Sequence, residues 1–70
     1  MKTYLVYVDK WDYDEFDAVV VVAKDESRAL EMIKTGYFGG SCFNDHQGEI
    51  YVEEVNLAYE HIVLGSFNAG

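Results

Sequence analysis

The longest uninterrupted apolar stretch of the chain is residues 18–23, which read Ala-Val-Val-Val-Val-Ala. It shows neither the three-and-four spacing of an amphipathic helix nor the alternation of a half-exposed strand. Branching at Cβ restricts the rotamers of the valines and favours an extended backbone. The pattern therefore predicts a strand that is apolar on both faces, and such a strand needs cover on both.

Alternation and helical spacing predict elements on either side of this strand. Residues 3–9 alternate between two faces, and we expect them to pair with 18–23 as an antiparallel hairpin with a long tip. After the hairpin, apolar residues at helical spacing predict one helix. Asp25 is placed to cap its N-terminus, and Gly36 fits the position past its last turn.

The second half of the chain predicts two more strands. A twelve-residue loop without periodicity, 37–48, leads into a strand at 49–57, and residues 61–67 read as the last strand. The order β-β-α-β-β predicts a single α+β domain over residues 1–70. Its expected architecture is one four-stranded, mainly antiparallel sheet with one helix on one face.

One helix covers only one face of a sheet, so the other face should expose apolar side chains. We expect these to be Tyr4, Val6 and Val8, alternate valines of the second strand, and parts of Tyr51, Val55 and Val63. A patch of that kind on a small domain indicates a partner. The sequence therefore predicts a homodimer, packed through the sheets or edge to edge.

Charge restricts the class of partner. Thirteen acids against five bases give a formal charge of −8, which repels nucleic acid and anionic lipid and attracts basic protein surfaces. There is no 18-residue apolar run, and the N-terminus enters a strand at once, so we expect neither a membrane span nor a signal peptide. With Cys42 as the single cysteine, these features predict a cytoplasmic protein.

The candidate binding site is the tip of the hairpin, where acids and aromatic residues are interleaved. Aromatic rings can anchor a partner while carboxylates pair with its Arg and Lys side chains. The alternative is a solvated loop whose rings fold back on the core. The predicted partner-binding residues are Asp9, Trp11, Asp12, Tyr13, Asp14, Glu15, Phe16 and Asp17, helped by Glu53 and Glu54.

Other chemistry is poorly supported. Counted from Asp12, the tip fails the EF-hand pattern, since Phe16 and Asp17 stand where a ligand and a glycine are required. Cys42 and His46 are four residues apart, but nothing supplies an oxyanion site or a third orienting group. No glycine-rich phosphate loop is present. We therefore predict no catalytic residue, metal or cofactor, and a protein that is not an enzyme.

Three segments resemble a group of short bacteriophage-encoded proteins. They are the tail 61–70, which ends Ser-Phe-Asn-Ala-Gly, the Tyr/Asp-rich segment 13–17 ahead of a valine-rich strand, and the helix start 23–30. Gly65 stands where the group usually has alanine. The resemblance implies a phage or prophage accessory protein working in the host cytoplasm, and it carries over no functional residue.

Charge and context together predict a small acidic protein that acts by protein–protein binding. Its most concrete version is an inhibitor of a host nucleic-acid-handling defence complex, an anti-CRISPR or anti-restriction protein whose acidic tip occupies a basic groove. The alternative is a non-enzymatic structural or assembly protein that associates through its apolar sheet face. Salt separates the two, because only the groove binder depends on charge.

Overall fold

The protein has an α+β fold in which one helix packs on a three-stranded antiparallel sheet. The structure, a computed structural model, describes residues 1–11, 16–36 and 41–65. Its elements are β1 (Lys2–Val8), β2 (Ala18–Ala23), α1 (Glu26–Thr35), a 3₁₀ turn (Asp45–Gln47) and β3 (Ile50–Glu54). The spatial order of the strands is β2-β1-β3, so β1 lies at the centre of the sheet.

Hydrogen bonds fix which side of β1 faces each neighbour. Tyr7 lies opposite Ala18 in the register of β1 with β2. One residue further on, the N–H of Val8 donates to the carbonyl of Asp17 at 3.1 Å. On the other side, Val55 N–H donates to the carbonyl of Thr3 at 2.8 Å. Even-numbered residues of β1 thus bond to β2 and odd-numbered ones to β3. The predicted antiparallel hairpin is confirmed.

The caps of α1 are those that the sequence predicts. An Asp25 carboxylate oxygen accepts from the N–H of Arg28 at 2.8 Å. Gly36 has a φ of 100° and donates its N–H to the carbonyl of Met32 at 2.8 Å. A positive φ at the helix end is strained for residues with a Cβ, which explains the glycine.

The core lies between α1 and one face of the sheet. Its central members on β1 are Tyr4, Val6 and Val8, which cluster with Ala29 and Ile33 of the helix. We expected these three β1 residues on the uncovered face, and that prediction is wrong. Alternation separates two faces of a strand but does not say which of them the helix covers.

On the face away from α1, which we call the second face, cover is partial. Leu5 is only 6% exposed, and it lines one hollow with Val63 and another with Leu64. The chain that follows β3 therefore passes over this face. Val20 and Val22 stay 56% exposed each, which confirms that alternate valines of β2 are open.

The predicted fourth strand is not confirmed. The strand predicted at 49–57 ends at Glu54, and residues 55–65 form no strand. Ser66 and Phe67, the last residues of the predicted fourth strand, lie outside the described residues. An apolar run such as 61–65 can cover a sheet face as irregular chain, so its hydrophobicity alone does not require strand pairing.

A candidate acidic and aromatic binding site

The structure brings three of the predicted binding residues to one place. Trp11, Asp17 and Glu53 line a single hollow of about 310 Å³ on the second face. We call it the acidic hollow. The predicted residues Asp12, Tyr13, Asp14 and Glu15 lie between Trp11 and Phe16, outside the described residues.

Strand geometry explains why these residues meet, although they are far apart in sequence. Glu53 lies opposite Leu5 in the β1–β3 register, so it points to the second face. Asp17 immediately precedes β2, and its carbonyl is held by the N–H of Val8. The end of β1, the start of β2 and the middle of β3 therefore border one hollow, and Glu53 is the acid whose side chain the strand register places on the second face.

Tyr7 forms part of the floor of the hollow and orients Glu53. Its hydroxyl donates to the Glu53 carboxylate at 3.1 Å, and its ring stacks on Tyr51 with centroids 5.3 Å apart. This hydrogen bond, with lesser contributions from desolvation and the charge of Glu53, raises the pKa of Tyr7 above its ordinary value. The phenol therefore stays protonated at neutral pH and keeps donating to Glu53.

The arrangement suits a cationic side chain. Among the described residues that line the hollow, the charged ones are both acidic, Asp17 and Glu53. The Trp11 side chain at its edge is 48% exposed. A guanidinium group can donate hydrogen bonds from its fixed fork to carboxylate oxygens and stack on an indole face. The hollow thus has the chemistry of an Arg- or Lys-binding site.

Three other predicted residues do not reach the hollow. An Asp9 carboxylate oxygen accepts from Glu49 N–H at 3.1 Å, which ties the end of β1 to the chain entering β3. Glu54 pairs with Lys2 at 3.6 Å. Phe16 is 42% exposed and does not line the hollow. Asp9 therefore has a role in the fold, a role that neither interpretation of the tip predicts.

Sequence reasoning missed Gln47, which holds the base of the tip. Its side chain is 1% exposed and donates to the carbonyl of Phe16 at 2.7 Å, while its Oε1 accepts from Asn44 N–H. Its own carbonyl accepts from Lys10 N–H at 3.1 Å. Gln47 thus joins the outgoing and returning ends of the tip to the loop before β3. A glutamine in an aperiodic polar loop gives no sequence signal of burial.

Cys42 is also buried, as part of the core cluster with Phe43. A buried thiol has little access to a substrate, and its surroundings are apolar. In the part of the chain that the structure describes, no three His, Cys, Asp or Glu side chains are grouped to hold a metal ion. None of its helices has the length and apolar character needed to cross a membrane.

Comparison with known proteins adds no family to this picture. No protein-family model matches the chain, and neither a curated protein nor a solved structure matches it significantly. Fold and site together define a small acidic α+β protein in which acidic and aromatic residues line a concave surface of the described chain.

Proposed function

We propose that the protein is a non-enzymatic binding protein that accepts a basic side chain of another protein in the acidic hollow. The convergence of Trp11, Asp17 and Glu53 is the observation that supports this function. The formal charge of −8 extends the attraction beyond the hollow and should speed the approach of a basic surface.

The partner we propose is a nucleic-acid-handling defence complex of a bacterial host, met in the host cytoplasm. Such complexes hold DNA or RNA phosphates in basic grooves, and an acidic surface can compete for the same Lys and Arg side chains. The resemblance of the tail to phage accessory proteins supports this context. The protein would then act as an anti-CRISPR or anti-restriction inhibitor, and the sequence adds further negative charge at Asp12, Asp14 and Glu15.

The site can be tested with a synthetic arginine-rich peptide as the probe and isothermal titration calorimetry as the readout. Replacing Asp17→Asn together with Glu53→Gln removes the charges of the hollow with little change in shape. We expect the affinity for the peptide to fall at least tenfold, which corresponds to about 1.4 kcal/mol. Wild-type binding should also weaken between about 50 and 500 mM salt as the screening length shortens.

A matched control removes the same amount of charge elsewhere. Glu26→Gln with Glu60→Gln alters two exposed acids outside the hollow. This control should bind the peptide within about twofold of wild type, because exposed charges at a distance are screened. Equal losses in the two double variants would show that net charge alone attracts the peptide, and the proposed site would be rejected.

A second function is favoured by a separate observation, the exposure of Val20 and Val22 on β2. Apolar side chains side by side on an open strand suit a structural or assembly protein that associates through its sheet. Association of that kind gains from apolar burial and main-chain hydrogen bonds, so added salt should not weaken it.

A further inference from the structure

β2 is an edge strand with unused backbone groups. Among the described residues it has β1 on one side and no strand on the other. Val8 bonds to Asp17, so odd-numbered residues of this segment face β1 and even-numbered residues direct their N–H and C=O groups away from it. The outward groups belong to Ala18, Val20 and Val22, and none of the hydrogen bonds seen in the described residues reaches them.

This edge lacks the usual protection against pairing. Residues 18–23 contain no charge and no proline, and their register with β1 runs without a bulge. The opposite edge, β3, carries Glu53 and Glu54. Charged side chains, proline and bulges are the devices by which proteins block edge-to-edge pairing. The acidic side chains therefore protect the β3 edge from such pairing, whereas the β2 edge has no comparable protection.

A second copy of the chain fits this edge. Two copies of charge −8 repel each other, so they approach best at a surface with no charge, which β2 supplies. Antiparallel pairing about a twofold axis uses the same uncharged segment on both copies. We propose that β2 pairs with β2 of a second copy, with Val20 opposite Val20, to form one six-stranded antiparallel sheet.

The register follows from which groups point outward. Backbones bond where both facing residues point outward, and a twofold axis at Val20 (Val20 facing Val20) or at Val21 (Val20 facing Val22) meets this condition. An axis at Val21 would set Asp17 opposite Asp25 of the other copy, and facing like charges are unfavourable. An axis at Val20 sets Asp17 opposite Ala23 instead. It also pairs Ala18 with Val22, so every outward group gains a partner.

This inference rests on the second function proposed above, association through the sheet, and is independent of the acidic hollow.

In an antiparallel bonded pair the two Cα atoms are about 5.5 Å apart, within the range that a disulfide spans. Val20→Cys should therefore form a symmetric disulfide across the axis under mild oxidation. Val22→Cys is the matched control, because Val22 has the same 56% exposure on the same strand but lies opposite Ala18.

We expect Val20→Cys to migrate as a covalent dimer on non-reducing gels, and Val22→Cys and wild type to remain uncrosslinked. Sedimentation equilibrium of wild type at micromolar concentration should give twice the 8.0 kDa chain mass, with tighter association in higher salt. Val20→Lys should be monomeric with an unchanged circular dichroism spectrum, since it sets two positive charges face to face.

A wild-type mass of one chain, or equal crosslinking of the two cysteine variants, would overturn the proposed pairing. Neither result bears on the hollow, whose peptide binding is measured with Val20 and Val22 intact. Conversely, the Asp17→Asn and Glu53→Gln variant should still dimerise when its peptide binding is lost. The two proposals therefore fail separately.

Discussion

Gln47 offers the sharpest test of how the tip is held. The variant Gln47→Met keeps an unbranched side chain of similar size and removes both side-chain hydrogen bonds, to Phe16 and Asn44. Losing a bond so that its buried partner is left unpaired costs about 1–3 kcal/mol. Phe16 is 42% exposed, so water replaces part of its lost bond. We therefore expect a total loss of about 2–3 kcal/mol.

That loss is a large part of the stability of a chain of this size. At 0.05–0.15 kcal/mol per residue, 70 residues give roughly 4–10 kcal/mol. The melting temperature should fall by roughly 10 to 20 °C, which thermal unfolding followed by circular dichroism can measure. Amide exchange at Lys10 should also speed up, because its N–H donates to the carbonyl of Gln47.

Gln47→Glu is the companion variant, since it keeps the shape and the acceptor for Asn44 N–H. At neutral pH it sets a buried carboxylate against the carbonyl of Phe16, so it should also be destabilised. When protonated, the carboxyl can donate to that carbonyl again. The difference in unfolding free energy between Gln47→Glu and wild type should therefore become smaller as the pH is lowered. A Gln47→Met variant that melts with wild type would refute the role assigned to Gln47.

Three further predictions concern the core, the helix cap and the hollow. Ile33→Ala should cost about 2–5 kcal/mol in urea unfolding, because Ile33 is 1% exposed, whereas Ile62→Ala at 89% exposure should change stability by less than about 0.5 kcal/mol. Asp25→Ala should cost about 1 kcal/mol and Asp25→Asn much less, since asparagine also caps. Tyrosine absorbance should show Tyr7 titrating above its ordinary pKa and the shift becoming smaller in Glu53→Gln, which removes the charge of the acceptor. Because the folded state holds this proton more tightly, the stabilisation is complete below about pH 10 and is lost as the pH rises through the folded pKa.

The sequence predicts local structure well where one short-range signal decides it. The valine run, the alternation of residues 3–9 and the cap at Asp25 each depend on neighbouring residues, and the structure confirms the elements they predict. The face covered by α1 depends on how separate elements pack, so the positions of Val6 and Val8 were misjudged. The segment 55–65 shows the same limit. Its apolar residues favour a strand, but in the structure 55–65 form none and Ile62 is 89% exposed, so hydrophobicity alone does not distinguish a strand from irregular chain.

The sequence predicts the chemical character of the candidate site, acidic and aromatic, but not which residues form it. Interleaved acids and aromatic residues point to Trp11 and Asp17, and the structure places both at the hollow. Asp9 has the same composition signal, yet its carboxylate is used by Glu49 N–H and lies against Gly48. Gly48 has a φ of 82°, and a Cβ there would collide with that carboxylate. Such a contact joins residues about forty positions apart, and local pattern does not show it.

The distribution of charge also indicates where association between copies would stop. Pairing two β2 strands about a twofold axis uses the same surface on both copies, so it closes on itself. The six-stranded sheet that results has β3 at both ends, and each β3 carries Glu53 and Glu54 in a chain of charge −8. A third copy would have to bring acidic edges together, which like-charge repulsion opposes. An apolar edge on β2 is thus compatible with the proposed closed dimer, because the acidic β3 edges would oppose open-ended growth.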